Sequence, residues 1–182
     1  MNKELFEYIN KSRIYMKDQY NRVLPTNELL YDRWDKAKLL GSGENTSIYD
    51  SSVIMGDVEI GKNVWIGPFT LIDGAHAKLI IGDFCHISSG VQIVTHDTVK
   101  YVLSSGKVPI ESGNVSIGKN TYIGGMAIIT KNVRIGNHCI IGANSLVNKD
   151  IPDFSIAYGT PAKIVGKVSF NREGKIELIY ST

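Results

Sequence analysis

From Ile48 onward an aliphatic residue returns at every sixth position: Ile54, Ile60, Ile66 and Ile72 follow without a miss. The beat slips by three residues between Asp73 and Lys78, then resumes as Ile81, Ile87 and Ile93. After a longer excursion it returns as Ile117, Ile123, Ile129, Ile135, Ile141 and Val147. Glycine follows the aliphatic residue at Gly61, Gly67, Gly82, Gly118, Gly124, Gly136 and Gly142. A sustained internal repeat of this kind decides a fold before any other feature does.

A second signal lies inside each repeat. Four residues after the aliphatic position stands a compact side chain: Ser52, Val58, Val64, Thr70, Cys85, Val91, Thr121, Ala127, Val133, Cys139 and Ser145. Six residues then make one short strand and a turn, and three such units close a triangular coil. Stacked coils bury a column of Ile and Val, each contributing about 1.5–3 kcal/mol. Glycine is expected to permit unusual backbone at the turns. The fold class that follows is all-β, a left-handed parallel β-helix of hexapeptide repeats. Cys85 and Cys139 occupy compact inward positions, so they read as packing residues rather than reactive thiols.

The expected organisation has three parts: an N-terminal helical segment over residues 1–45, a β-helix over 46–165, and a hairpin tail over 166–182. Leu5, Phe6, Ile9, Tyr15 and Tyr20 fit an amphipathic helix that stops near Pro25. A second helix is expected from Asn27 to about Leu39, with Leu29, Leu30 and Trp34 on one face as packing residues. The segment 97–115 lacks the beat and must leave the prism as a loop, and loops of this length in compact domains are often functional. The tail reads as two strands turning at Asn171–Gly174.

Composition narrows the partners. The 182 residues carry a formal charge of +2, which gives no reason to expect nucleic acid or an anionic membrane surface. No apolar stretch approaches the roughly 20 residues of a membrane span, and the N-terminus lacks the apolar core of a signal peptide. Two cysteines are too few for a disulfide framework. A cytoplasmic, reduced protein is the default expectation.

Of four histidines, His86 and His138 sit at outward positions within regular coils and His76 lies in the three-residue slip; each reads as a solvated surface residue. His96 differs, because it stands where the prism gives way to the long loop, in Val94-Thr95-His96-Asp97. A neutral imidazole there can accept a proton near pH 7.

The repeat, the histidine before an excursion loop, and the ending Asn148-Lys149-Asp150-Ile151-Pro152 through Gly159-Thr160-Pro161-Ala162-Lys163 together resemble the hexapeptide-repeat acetyltransferases, over about residues 46–165. That family includes galactoside, maltose, xenobiotic and nucleotide-amino-sugar acetyltransferases. The resemblance implies a homotrimer with active sites between neighbouring prisms, acetyl-CoA as co-substrate and no metal. It implies His96 as the catalytic base and Gly125 and Ala143 as backbone contacts to the pantetheine arm. Lys149 and Lys163 then stand near the CoA phosphates. Tyr122 falls where galactoside acetyltransferases carry a tryptophan lining the acceptor pocket, and Asp97 is a candidate to orient the imidazole or touch the acceptor. The acceptor implied is a hydroxyl or amine of a sugar or nucleotide-linked sugar. Two other readings are a non-catalytic binding β-helix and a zinc carbonic anhydrase of the same fold. The latter needs three converging imidazoles, whereas His86 and His96 occupy different repeat positions and His138 belongs to a distant coil.

Overall fold

Each hexapeptide forms a short strand and a corner, and three of them close one turn of a triangular coil. The structure, a computed structural model, describes residues 3–181. Face one of the prism stacks β1 (Ser47–Ile48), β3 (Trp65–Ile66), β5 (His86–Ile87), β10 (Tyr122–Ile123), β13 (Ile140–Ile141) and β15 (Ser155–Gly159), parallel and in that order. Face two stacks the first halves of β2 (Val53–Ile60) and β4 (Leu71–Ile81) on β6 (Gln92–Val94), β11 (Ile128–Ile129) and β14 (Leu146–Val147). Face three stacks the second halves of β2 and β4 on β9 (Val115–Ile117), β12 (Arg134–Ile135) and Ile151.

The aliphatic column lies at the centre as the repeat requires. Ile48, Ile66, Ile87, Ile123 and Ile141 align down face one, and Ile72, Ile93, Ile129 and Val147 align down face two; all are fully buried. The compact positions are buried as well, except Val58, which with Ile54 belongs to the first coil and is only partly covered. Leu79 and Val115 fill the same compact position beside the two interruptions, where the six-residue count is lost.

Glycine's role at the corners differs from the expectation. The left-handed backbone there is taken by Asn63, Phe69, Phe84, Asn120, Met126, Asn132, His138, Asn144 and Phe154, all with φ between 54° and 61°. The glycine that follows each aliphatic residue is instead a clearance device. A Cβ on Gly118 would stand 2.6 Å from the Gly136 carbonyl carbon, and one on Gly124 would stand 2.5 Å from the Ala143 nitrogen. Coils stack at the strand spacing of about 4.8 Å, so no side chain fits between them at that point.

Three helices precede the prism where two were expected: α1 (Lys3–Tyr20), α2 (Asn27–Leu30) and α3 (Arg33–Leu39). The break comes from Asp32, whose carboxylate accepts the Trp34 N–H at 2.8 Å and starts a new helix. Of the expected apolar stripe only Ile9 and Leu29 are buried, while Leu5, Phe6, Tyr15, Tyr20, Leu30 and Trp34 are exposed. The helices are fastened to the first coil by two charged groups. The Glu28 carboxylate accepts the N–H groups of Asp50 and Ser51 and the Ser51 hydroxyl. The Lys36 ammonium donates to the carbonyls of Tyr49, Asp50 and Ser52 at 3.1, 2.8 and 2.7 Å. Burial lowers the Lys36 pKa, against the pull of Asp50 and Glu28. Beneath it Ala37 joins the core and closes the open end of the prism. Lys36→Met should therefore destabilise the fold by about 2 kcal/mol, since three carbonyls lose a charged donor. Chemical denaturation measures this, and an unchanged midpoint would show that the helices are not anchored there.

At the other end β15 turns into an antiparallel sheet with β16 (Ala162–Phe170) and β17 (Ile176–Tyr180). The β16–β17 hairpin pairs Gly166–Phe170 with Ile176–Tyr180, within the expected tail, and its turn is closed by the Asn171 N–H donating to the Lys175 carbonyl at 3.0 Å. The excursion is more ordered than a loop. β7 (His96–Asp97) pairs antiparallel with β8 (Glu111–Ser112), and α4 (Val99–Leu103) lies between them. Among the described residues no helix is long and apolar enough to cross a membrane.

Candidate active site

Both interruptions of the repeat fall at one edge of the prism. The three extra residues sit in β4 between Gly74 and Leu79, where face two turns into face three. The excursion leaves one coil later at the same turn, after β6. Stacking brings them together: the His76 and His96 rings lie 4.2 Å apart between centroids, tilted by 41°. His76 is exposed, as expected of a surface residue, and it also borders His96. The slip itself was the signal, since an insertion stacked on a functional loop must border it.

His96 is partly buried, with 22% of its side chain exposed. Its Nδ1 is enclosed, has no hydrogen-bond partner among the described residues, and lies 3.7 Å from Oδ2 of Asp73. Asp73 is itself buried and anchored. Its other carboxylate oxygen accepts the Ala75 N–H at 2.9 Å, and its carbonyl accepts both the Thr95 N–H (3.1 Å) and the Thr95 hydroxyl (2.9 Å). These bonds lock the segment before His96 to the segment before the bulge.

Asp97, the candidate to orient the imidazole, faces elsewhere. Its carboxylate accepts the Val99 N–H at 3.0 Å and pairs with Lys131 from the next coil. The Lys131 ammonium, followed by the Val99 N–H, holds the Asp97 carboxyl below the usual carboxylate range, and the pairing raises Lys131 in turn. Lys131 also reaches Glu111 at 3.5 Å, so one ammonium pins both strands of the excursion. The carboxylate beside the imidazole nitrogen is Asp73, and sequence spacing missed it because the contact runs between coils.

The other expected residues divide between two edges. Lys149 follows β14, on the His96 edge and two coils below. Gly125 and Ala143 lie where face one turns into face two, in the fourth and fifth coils. Tyr122 leads into that edge from face one, and Lys163 lies on β16 paired with Tyr158. Tyr122 stacks on His86 (5.2 Å), which stacks on Trp65 (4.3 Å), so His86 belongs to a ring ladder on face one. Burial lowers the His86 pKa. His138 lies flat against Phe154 at 5.0 Å on the third edge. The imidazoles of His86, His96 and His138 therefore do not converge. Burial pushes the Cys85 thiol up to about 11 and raises Cys139 too, in keeping with packing roles.

The Gly125 edge is chemically distinct from the edge joining faces three and one. There the corner N–H groups of Lys62, Lys119 and Asn137 are each capped by an Asp or Asn of the next coil. Among the described residues the N–H groups of Gly125 and Ala143 have no acceptor. Gly125 is also unexplained by coil packing, since a Cβ on it would meet nothing closer than the Ser89 carbonyl at 3.3 Å. Free donors and a missing side chain are what an extended ligand with amide groups needs.

Comparison with known proteins agrees with this architecture. Residues 114–149 match the model of the bacterial transferase hexapeptide, described as six repeats. A protein of Staphylococcus aureus strain Mu50, provisionally named an acetyltransferase, is 36% identical over 113 residues, which is 62% of this chain and 56% of that protein. The chain thus spans little more than half the length of the curated relatives it matches. A maltose O-acetyltransferase from Clostridium difficile 630 superposes with a TM-score of 0.62 at 26% identity, over 92% of this chain and 90% of the other. AntD, an N-acyltransferase from Bacillus cereus in complex with dTDP and 3-hydroxybutyryl-CoA, gives 0.57 at 26% identity, over 72% and 86%. In repeat and in coil this chain is similar to the hexapeptide-repeat acetyltransferases.

Proposed function

We propose that this protein is an acetyl-CoA-dependent acetyltransferase acting on a hydroxyl or amine of a sugar or nucleotide-linked sugar. The observation that carries the reading is His96, held beside buried Asp73 at the edge where bulge and excursion meet. Asp73 favours the tautomer with the proton on Nδ1, which leaves Nε2 free to act as base. Nε2 takes the acceptor's proton as the acceptor oxygen or nitrogen bonds to the thioester carbonyl carbon. The oxyanion so formed collapses, the carbon–sulfur bond breaks, and the imidazolium returns its proton to the departing CoA sulfur. No residue is acylated. The uncapped N–H of Gly125 is suited to the oxyanion or the pantetheine amides. Lys149 and Lys163 are assigned to the CoA phosphates and Tyr122 to the acceptor's surroundings, while Asp97 holds the excursion through Lys131.

The site is incomplete within one chain, because His96 and Gly125 lie on different edges of the prism. We assign it to a homotrimer of left-handed coils with parallel axes, in which the His96 edge of one protomer faces the Gly125 edge of its neighbour. The two relatives above, one an O-acetyltransferase and one an N-acyltransferase binding dTDP, support the choice of acceptors. Release of CoA from acetyl-CoA, measured with a panel of free sugars, nucleotide-sugars and nucleotide-amino-sugars, tests the reading. At least one acceptor should give saturable turnover by a species of three subunits in light scattering. No turnover with any acceptor and no calorimetric affinity for acetyl-CoA would favour the non-catalytic binding β-helix.

A further inference from the structure

The helices and the first coil border an open cavity of about 400 Å³, lined among others by Tyr8, Arg22, Tyr31, Arg33, Trp34 and Tyr49. Two guanidinium groups meet at its wall. Arg22 donates to the Tyr49 hydroxyl oxygen at 2.5 Å and Arg33 donates to the same oxygen at 3.2 Å. Arg33 also lies 4.1 Å above the Trp34 ring. Among the described residues neither arginine has a carboxylate partner. A pair of guanidiniums sharing only a neutral phenol leaves most of their N–H donors unused at the wall of a cavity. Arginine forks of this kind fit phosphate oxygens bidentately.

The carboxylates nearby do not fill that role. Glu28 is occupied by the N–H groups of Asp50 and Ser51 and by the Ser51 hydroxyl. Asp32 caps α3, and Asp35 lies in the first turn of that helix, on the cavity wall. The aromatic lining is exposed, with Tyr8, Tyr31 and Trp34 each about half or more accessible. Planar rings beside paired arginines suit a ligand with both a phosphate group and an aromatic base.

The place of the cavity in the coil connects it to the reaction. Tyr49 ends the first strand of face one, at the head of the edge that carries Gly125 and Ala143 three and four coils further down. His96 belongs to the third coil. With parallel prisms, a neighbour's His96 stands about two coils, or ~10 Å, below the arginines, a span that one hexose can bridge. We infer that Arg22, Arg33 and Tyr49 form a diphosphate-binding site for the nucleoside diphosphate part of a nucleotide-linked acceptor. This rests on the acetyl-transfer reading and commits it to nucleotide-linked rather than free sugars. The acceptor enters from the helical end, and the coenzyme lies along the same edge toward the hairpin.

Binding without catalysis tests this separately from transfer. dTDP, UDP and inorganic pyrophosphate are titrated calorimetrically into the full chain saturated with acetyl-CoA, so that the coenzyme site is already filled. At least one nucleoside diphosphate should bind, and more tightly than pyrophosphate. Arg22→Gln with Arg33→Gln should weaken that binding at least tenfold and leave the affinity for acetyl-CoA unchanged. Arg33→Lys keeps the charge and loses the fork, so it should give an intermediate loss; thermal melting of each variant shows whether the helices stay docked. His96→Ala should bind the diphosphate like wild type. If no nucleoside diphosphate binds, or the double variant binds as wild type does, the site is not there. Turnover of a free sugar together with absent diphosphate binding would overturn this inference alone and leave the acetyl-transfer reading standing.

Discussion

His96→Ala should lower kcat by about 10²–10⁴ with a hydroxyl acceptor, the range expected when a positioned general base is lost. The residue stands outside the aliphatic column, and its enclosed Nδ1 makes no hydrogen bond that the fold depends on. The melting temperature and the affinity for acetyl-CoA should therefore stay close to wild type. With an amine acceptor that arrives already deprotonated the loss should be smaller, so the size of the effect also reports the acceptor's class. Asp73→Asn separates positioning from catalysis. It retains the shape of the carboxylate and removes its charge from beside Nδ1, so it should reduce kcat by less than His96→Ala and leave the KM for acetyl-CoA unchanged. Asp97→Asn serves as the contrast, because it breaks the pair with Lys131. Its main effect should be a looser excursion, seen as faster amide exchange over α4 and β8. His138→Ala, on the remote third edge, should turn over normally. Full activity of His96→Ala would remove the base from the mechanism.

The aliphatic column and the compact positions were legible because a six-residue period survives any uncertainty about neighbouring elements. Ile117 and Ile135 are inward for the same reason as Ile48, and a single chain suffices to see it. The interruptions were legible as positions but not as a site. That His76 and Asp73 meet His96 depends on an insertion and an excursion leaving at the same turn in consecutive coils, so the contact lies across 20 residues or more and follows from register alone. The corner glycines are visible in the repeat, but their physical reason is not. Positive φ falls on the third corner residue, commonly Asn, while the first corner residue is glycine because the next coil's backbone passes too close. The helical segment was least legible. Its apolar spacing suggested a buried stripe, yet much of that surface lines a cavity or meets solvent, and the groups that fasten it, Glu28 and Lys36, are charged.

Gly124 and Gly125 are adjacent and should behave oppositely when each is replaced by alanine. At Gly124 a Cβ would lie 2.5 Å from the Ala143 nitrogen and 2.8 Å from the Gly142 carbonyl carbon, and both belong to the backbone of the next coil. Those atoms cannot yield, because the Gly124 N–H is itself bonded to the Ile141 carbonyl at 2.8 Å and the ladder continues above and below. Forcing the coils apart costs about 3 kcal/mol, the upper part of the usual range for overpacking. For a chain of this size that should lower the melting temperature by roughly 10 °C. At Gly125 the nearest atom to a new Cβ is the Ser89 carbonyl oxygen at 3.3 Å, which a shift of a few tenths of an ångström accommodates. Gly125→Ala should melt within about 2 °C of wild type by the same conversion. Its methyl group would stand on the edge where the N–H groups of Gly125 and Ala143 are uncapped, so the KM for acetyl-CoA should rise severalfold or more. Melting curves and initial rates on the two variants read both effects. If Gly125→Ala destabilises as much as Gly124→Ala and leaves the KM untouched, the second glycine is there for the coil, and the coenzyme does not lie along this edge.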